Sequence, residues 1–310
     1  MKKIICVGHS ALDRVFTVAA WPQGSAKVVA TGFAEIGGGM AANAAVAVAR
    51  LGGEAHYWGP AGADGVADVM CAQLRAAGVD VSGFRRFEGL QSSTSAILID
   101  GRGERLVVGF RGTALVAPAE WLDLVQIAGA GAVLVDVRWP QGALAGLRAA
   151  RLAGVTGVLD GDTAERSILV SLAKEAGYAL FSEAGLASFS GSGEIEAGLR
   201  QALALGVRVA AVTQGEGGVR WIESGKADGL QHLAAHTVPV VDTLAAGDVF
   251  HAAFALELAC GTTPADALRF ANAAAAIKCT RTDGRNGCPS REEVERLLRD
   301  SGRPAGAGAK

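Results

Sequence analysis

From residue 117 onward the sequence alternates short apolar runs with longer helical stretches, and no other feature restricts the fold as much. The runs at 133–137, 157–159, 179–181 and 207–213 have strand length, and the stretches between them, at 143–153, 165–176 and 195–205, read as helices. Strands joined by crossover helices pair in parallel and need cover on both faces. The chain is therefore expected to be α/β, with a doubly wound, mainly parallel sheet. The N-terminal part starts in the same way. A buried strand at 4–7 ends at Gly8, and Gly37-Gly38-Gly39 leads into a helix at 40–51 stopped by Gly52-Gly53. A strand at 56–59 and a helix at 66–77 follow. Further helices are expected at 247–260, 264–280 and 291–299.

Two regions break the alternation. Residues 15–19 and 27–36 are β-rich, and 84–87, 93–99 and 105–110 give three strand-like runs with no helix between them. They do not fit a βα repeat, so they are expected to form a small separate sheet, a lid of about 14–36 and 84–112 on one domain spanning 1–300. Residues 301–310 read as a disordered tail.

Composition excludes several functions. Half of the 310 residues are hydrophobic, enough for a large core, and a net charge of −2 leaves no basic excess for nucleic acid. Cys6, Cys71, Cys260, Cys279 and Cys288 are odd in number and scattered without a CxxC pair, which predicts reduced thiols in a cytoplasmic protein. His232 and His236 lack the further ligands a metal would need. No run of 18 apolar residues suggests a membrane span.

Two glycine-rich stretches carry the candidate chemistry. In the first, EIGGGMAANAAVAVARLGG at 35–53, glycines before a helix let backbone approach a ligand, although a plain strand-to-helix turn accounts for them equally well. Asn43 on its apolar helix would be costly unless it bonds something. In the second, VVDTLAAGDVFHAAFALELACG at 240–261, Asp248 taken alone reads as a helix N-cap. Its neighbours suggest more. The small residues Ala245, Ala246 and Gly247 expose amides at a helix start, a cradle for the charge of a transferring phosphoryl group. A carboxylate beside that cradle can take the proton of an attacking hydroxyl. Neither a Rossmann G-x-G-x-x-G nor a P-loop is present.

The order and separation of these stretches resemble the PfkB, or ribokinase-like, carbohydrate kinase family, over nearly the whole chain. The resemblance implies a ribokinase-like fold with a β lid, a homodimer joined through that lid, and ATP with Mg2+ as cofactors, with a monovalent cation as a further candidate. It makes Asp248 the catalytic base and Ala245, Ala246 and Gly247, with Asp248, the anion hole. It also implies sugar contacts at Asp13, Gly38, Gly39 and Asn43, and nucleotide contacts at Thr213, Gly215, Gly218 and Asn272. The family's N-x-x-E magnesium motif is replaced by Ser182-Glu183-Ala184-Gly185, which leaves Glu183 as the candidate ligand.

Within the family the stretches ALDRVF, SAK, VDVRW, VLDGD, FSEAGLA and KCTR most resemble sulfofructose kinases. Lys27 and Arg138 then stand at two of the three sulfonate-holding places. Gly109 stands at the third, with Arg111 nearby. The implied reaction is phosphorylation of 6-deoxy-6-sulfofructose at a primary hydroxyl. Kinases of fructose, ribose, a ketose phosphate or 2-keto-3-deoxygluconate are the alternatives within the family. A non-catalytic sugar or nucleotide sensor on the same fold would have no need of Asp248, and a nicotinamide dehydrogenase would need the absent dinucleotide fingerprint.

Overall fold

The computed structural model describes residues 1–21, 24, 27–102 and 104–301. In chain order the strands are β1 Lys3–Val7, β2 Ala11–Thr17, β3 Gly32–Gly38, β4 Glu54–Gly62, β5 Asp80–Phe87, β6 Ser93–Ile99, β7 Arg105–Phe110, β8 Ala132–Asp136, β9 Thr156–Gly161, β10 Tyr178–Ser182, β11 Val209–Thr213, β12 Val219–Glu223 and β13 Gln231–Leu233. The helices are α1 Met40–Arg50, α2 Gly65–Ala76, α3 Pro140–Ala153, α4 Arg166–Ala173, α5 Glu183–Ser190, α6 Ile195–Ala204, α7 Ala246–Cys260, α8 Pro264–Cys279 and α9 Arg291–Ser301. None is long and apolar enough to cross a membrane.

Nine strands form the large sheet, in the order β13-β12-β11-β10-β9-β8-β1-β4-β5. All its pairs are parallel except β11–β12 and β12–β13. The pleat sends alternate residues of β1 to opposite faces. Ile4 and Cys6 join a core with α1, α7 and α8, while Ile5 and Val7 join a second core beneath α3 to α6. Strand order reverses beside β1, which has β4 on one side and β8 on the other. In open α/β sheets ligands bind at the carboxyl ends of the strands at such a switch point.

A second sheet has four strands in the order β3-β2-β6-β7. β2 pairs antiparallel with β3 and parallel with β6, and β6 pairs antiparallel with β7. One expectation is corrected here. Residues 84–87 belong to β5, which runs parallel to β4 at the edge of the large sheet, so they are not part of the small sheet. The physical reason is that Trp58 on β4 packs directly over Gly83, and the Tyr57 ring lies tilted against Phe84 with centroids 5.8 Å apart, which gives this run a partner in the large sheet. The expected tail also differs, since Ser301 closes α9, and the rest of that tail lies outside the described residues.

Candidate active site

At the switch point one buried carboxylate organises the crevice. Asp136, the last residue of β8, accepts hydrogen bonds from the backbone N–H groups of His9 (2.7 Å), Ala41 (3.0 Å) and Arg138 (2.7 Å). It thereby ties the exit of β1 and the start of α1 to the end of its own strand. A side chain at Gly8 would strike this carboxylate, with a Cβ only 2.3 Å from it. Gly39, with φ of 93°, would put a Cβ 2.5 Å from the Ser10 backbone, so the chain's own packing already demands glycine there.

Around this hub lie the expected sugar residues. Asp13 on β2 accepts from Ser95 Oγ at 2.5 Å, and burial raises its carboxyl above the usual range. Gly38 leaves room for it, because a Cβ there would lie 2.5 Å from Asp13 Oδ2. Asn43, buried in α1, donates from Nδ2 to Asp248 Oδ2 at 2.7 Å, across 205 residues of sequence. Its own Oδ1 and His9 Nε2 are buried without a partner among the described residues. Burial and the nearby Arg138 and Arg111 guanidinium groups push the His9 imidazole down to about 4.

The three expected sulfonate positions lie on separate elements: the segment between β2 and β3, strand β7 and the end of β8. Arg138 is held by Asp162 (2.5 Å) and the Thr163 carbonyl (2.7 Å). Lys27 is exposed between β2 and β3 without a partner among the described residues. Gly109 is exposed on β7, paired with Ser95, which is itself paired with Asp13. Sequence reasoning missed Arg285. This buried residue follows α8, reaches Gln73 Oε1 at 3.3 Å and faces Gly37 and the Asp13 charge. Burial pulls its guanidinium down to about 10. The only sequence signal was an arginine enclosed by glycine and asparagine, which reads as an exposed turn.

The expected phosphate cradle lies at the start of α7. The N-cap reading of Asp248 does not hold. Ala245 occupies the cap position, in left-handed backbone with φ of 64° and no side-chain cap, and Asp248 sits inside the first turn. Its carboxylate is half-buried and faces Asn43 instead of the helix amides. Burial, then the charge of Asp160, pushes it up to about 7. The expected anion hole is revised by one member. The Ala246 N–H is bonded to the Thr243 carbonyl at 3.1 Å, which leaves the amides of Ala245, Gly247 and Asp248 without a partner among the described residues. Space beside Gly247 is open. Behind the helix start, His251 Nδ1 lies 2.7 Å from the Gly247 carbonyl and 3.4 Å from the buried Asp160 carboxylate.

Next to the cradle is a largely apolar cavity of about 250 Å³. Thr213, Gly215, Gly218 and Asn272 all line it, together with Ala246 and Gly247. The structure thus joins the expected nucleotide residues to the cradle. Asn272 donates its amide to the Ala234 carbonyl at 2.8 Å, which holds the cavity wall in place. Glu183 opens α5, an element the sequence did not suggest, and accepts from Gln214 Nε2 at 2.8 Å on the loop after β11. No group of three His, Cys, Asp or Glu side chains among the described residues forms a metal cage. Mg2+ bound with a nucleotide needs only one or two carboxylates besides phosphates and water, and Glu183 is an exposed carboxylate beside the loop after β11.

Comparison with known proteins identifies the family. Residues 1–291 match the model of the pfkB family carbohydrate kinases. A ribokinase of Bacillus subtilis is 30% identical over 299 residues, covering 96% of this chain and 100% of the relative. An ATP-dependent ribose-1-phosphate kinase of Halopiger xanaduensis is 30% identical, covering 96% and 98%. A crystal structure from Agrobacterium tumefaciens, provisionally named a ribokinase, superposes with a TM-score of 0.90 at 40% identity, covering 97% and 98%.

Proposed function

This chain belongs to the pfkB family of carbohydrate kinases, and from that premise we propose that it transfers the γ-phosphoryl group of ATP to a primary hydroxyl of an anionic ketose, with 6-deoxy-6-sulfofructose as the best candidate. The observation that carries the transfer chemistry is Asp248, a carboxylate raised to about 7 beside amides without a partner among the described residues. At that value it is ionised enough near neutral pH to accept a proton and basic enough to assist the transfer. Asp248 removes the proton of the attacking hydroxyl as its oxygen bonds to the γ-phosphorus. The bond to the departing ADP oxygen breaks, and the amides of Ala245, Gly247 and Asp248 donate to the charged oxygens. Asn43 holds the base in place. ATP lies along the cavity lined by Thr213, Gly215, Gly218 and Asn272. Mg2+, bound with the phosphates, would be held by Glu183 and would neutralise phosphate charge.

Support for an anionic acceptor comes from Arg111 and Arg138, which lie close enough to lower the His9 imidazole. A neutral ketose or pentose is the second reading, favoured by the Asp162 carboxylate that already pairs with Arg138. The test compares kcat/KM on sulfofructose, fructose 6-phosphate, fructose and ribose for wild type, Lys27→Ala, Arg111→Ala and Arg138→Ala. A loss of roughly 2–4 kcal/mol confined to the anionic sugars supports the proposal. Equal effects on all four sugars would leave the neutral reading.

The small sheet is proposed to act as a lid over the sugar, since Asp13 and Ser95 on it face the crevice and closure would exclude water. It is also proposed to join two copies. Leu106, Val108 and Phe110 on one face of its edge strand β7 are exposed at 49%, 61% and 47%, and Phe33 on the opposite edge strand at 60%. Val108→Asp is then expected to sediment as a monomer at concentrations where wild type is dimeric. A wild type that is itself monomeric would end that part of the proposal.

A further inference from the structure

Behind the phosphate cradle lies a lysine with no access to solvent. Lys278, in the last turn of α8, is 0% exposed. Its ammonium donates to the Asp242 carbonyl at 2.8 Å, to Asp242 Oδ2 at 3.1 Å and to the Arg281 carbonyl at 3.4 Å. An ammonium has three donors and no acceptor, and here all three face oxygen. The placement is unusual for a lysine at a helix end, which ordinarily sends its charge to water. Two of the oxygens belong to a residue 36 positions earlier, on a different segment.

The residues that receive these bonds are the ones that shape the site. Asp242 Oδ1 accepts the Leu244 N–H at 3.0 Å, which folds the segment running into Ala245 and the cradle. Asp242 Oδ2 accepts the Gly284 N–H at 3.3 Å, which fixes the turn carrying Arg285. The Val241 and Asp242 amides are bonded to the Cys279 carbonyl, next to the lysine itself. One buried positive charge therefore holds the loop on the phosphate side and the turn on the sugar side in mutual register.

We propose that Lys278 is a resident cation: its ammonium fills, with oxygen ligands only, a place that a free monovalent cation would otherwise have to occupy to order residues 242–247. An oxygen-lined, buried, singly charged nest suits K+ or NH4+ by the same chemistry that suits a lysine ammonium. Lys278 touches neither substrate and acts as a positioning residue through Asp242. The inference rests on the reading of 245–248 as the phosphoryl cradle. It replaces the expectation of a monovalent cation cofactor with a covalently supplied one.

The test measures phosphoryl transfer and apo-protein melting in KCl, NH4Cl, NaCl and choline chloride at constant ionic strength. Wild-type rates are expected to agree within about twofold across the four salts. Lys278→Ala is expected to lose about 10²-fold in kcat in choline, the scale of a misplaced reacting group, and to regain about tenfold when NH4Cl or KCl replaces it. Its apo form is expected to melt higher in NH4Cl or KCl than in choline, whereas wild type does not, and this readout needs no catalysis. A wild type whose rate in choline falls below about a fifth of that in KCl would overturn the proposal. So would Lys278→Ala turning over at the wild-type rate in choline. Should that variant not fold, Lys278→Met and the wild-type salt series decide the question. A wild type that phosphorylates no sugar in any salt would overturn the kinase reading instead, and the melting comparison would still judge the cation nest.

Discussion

Replacing Asp248 with asparagine should make the protein nearly inactive and more stable. Burial and the Asp160 charge raise this carboxyl from its ordinary value of 3.8 to about 7. Between those values the folded chain holds a proton that the unfolded chain has released. Stability therefore falls as pH rises from about 4 to about 7 and lies flat above that. At about 1.36 kcal/mol for each pH unit, the full distance sets a ceiling of about 4 kcal/mol. Because the carboxylate is half-buried and opens on the crevice, about 1–2 kcal/mol is the expected penalty at pH 8. Asparagine removes the charge and keeps an oxygen for Asn43 Nδ2, which now sits 2.7 Å from the carboxylate. The apo variant should melt about 2–4 °C above wild type at pH 8, and the gain should vanish near pH 4. Its kcat should fall by about 10²–10⁴, the contribution of a general base. Scanning calorimetry across pH with steady-state kinetics measures both. A variant less stable than wild type at every pH would refute the electrostatic argument, and near-wild-type turnover would refute the assigned role.

Ala245→Gly should raise stability by about 0.5–1 kcal/mol, because alanine at φ of 64° carries a cost that glycine does not; equal melting temperatures for the two proteins would show that the site bears no strain. Asp136→Asn should destabilise by about 2–4 kcal/mol, since its new amide must face either the His9 and Ala41 N–H groups or, flipped, the Arg138 N–H, and a denaturant midpoint unchanged from wild type would contradict the hub role.

The parallel half of the fold was legible because buried strands between crossover helices leave an apolar signature that few other arrangements share. Residues 84–87 misled because β5 is an edge strand with one face exposed, so its alternating pattern looks like that of the small sheet. Strands β12 and β13 and helix α5 are short and carry too little periodicity to register. At the site, Asp248 and the small residues before it are contiguous in sequence and could be read directly. Asn43 was legible as a polar side chain in an apolar helix, although its partner lies 205 residues away. Asp136, Arg285 and Lys278 were not legible. Each gains its role only when distant segments meet, and a buried lysine or arginine in the sequence looks like any surface cation.

The central claim is that Asp248 and the amides beside it move a phosphoryl group from ATP to a sugar hydroxyl. Following ATP and a sugar panel by ³¹P NMR with the purified enzyme tests it most directly. The account predicts a new phosphomonoester signal on one sugar that grows in step with ADP for wild type and is nearly absent for Asp248→Asn. ADP released without a sugar phosphate, or the same phosphomonoester formed by Asp248→Asn at the wild-type rate, would contradict it.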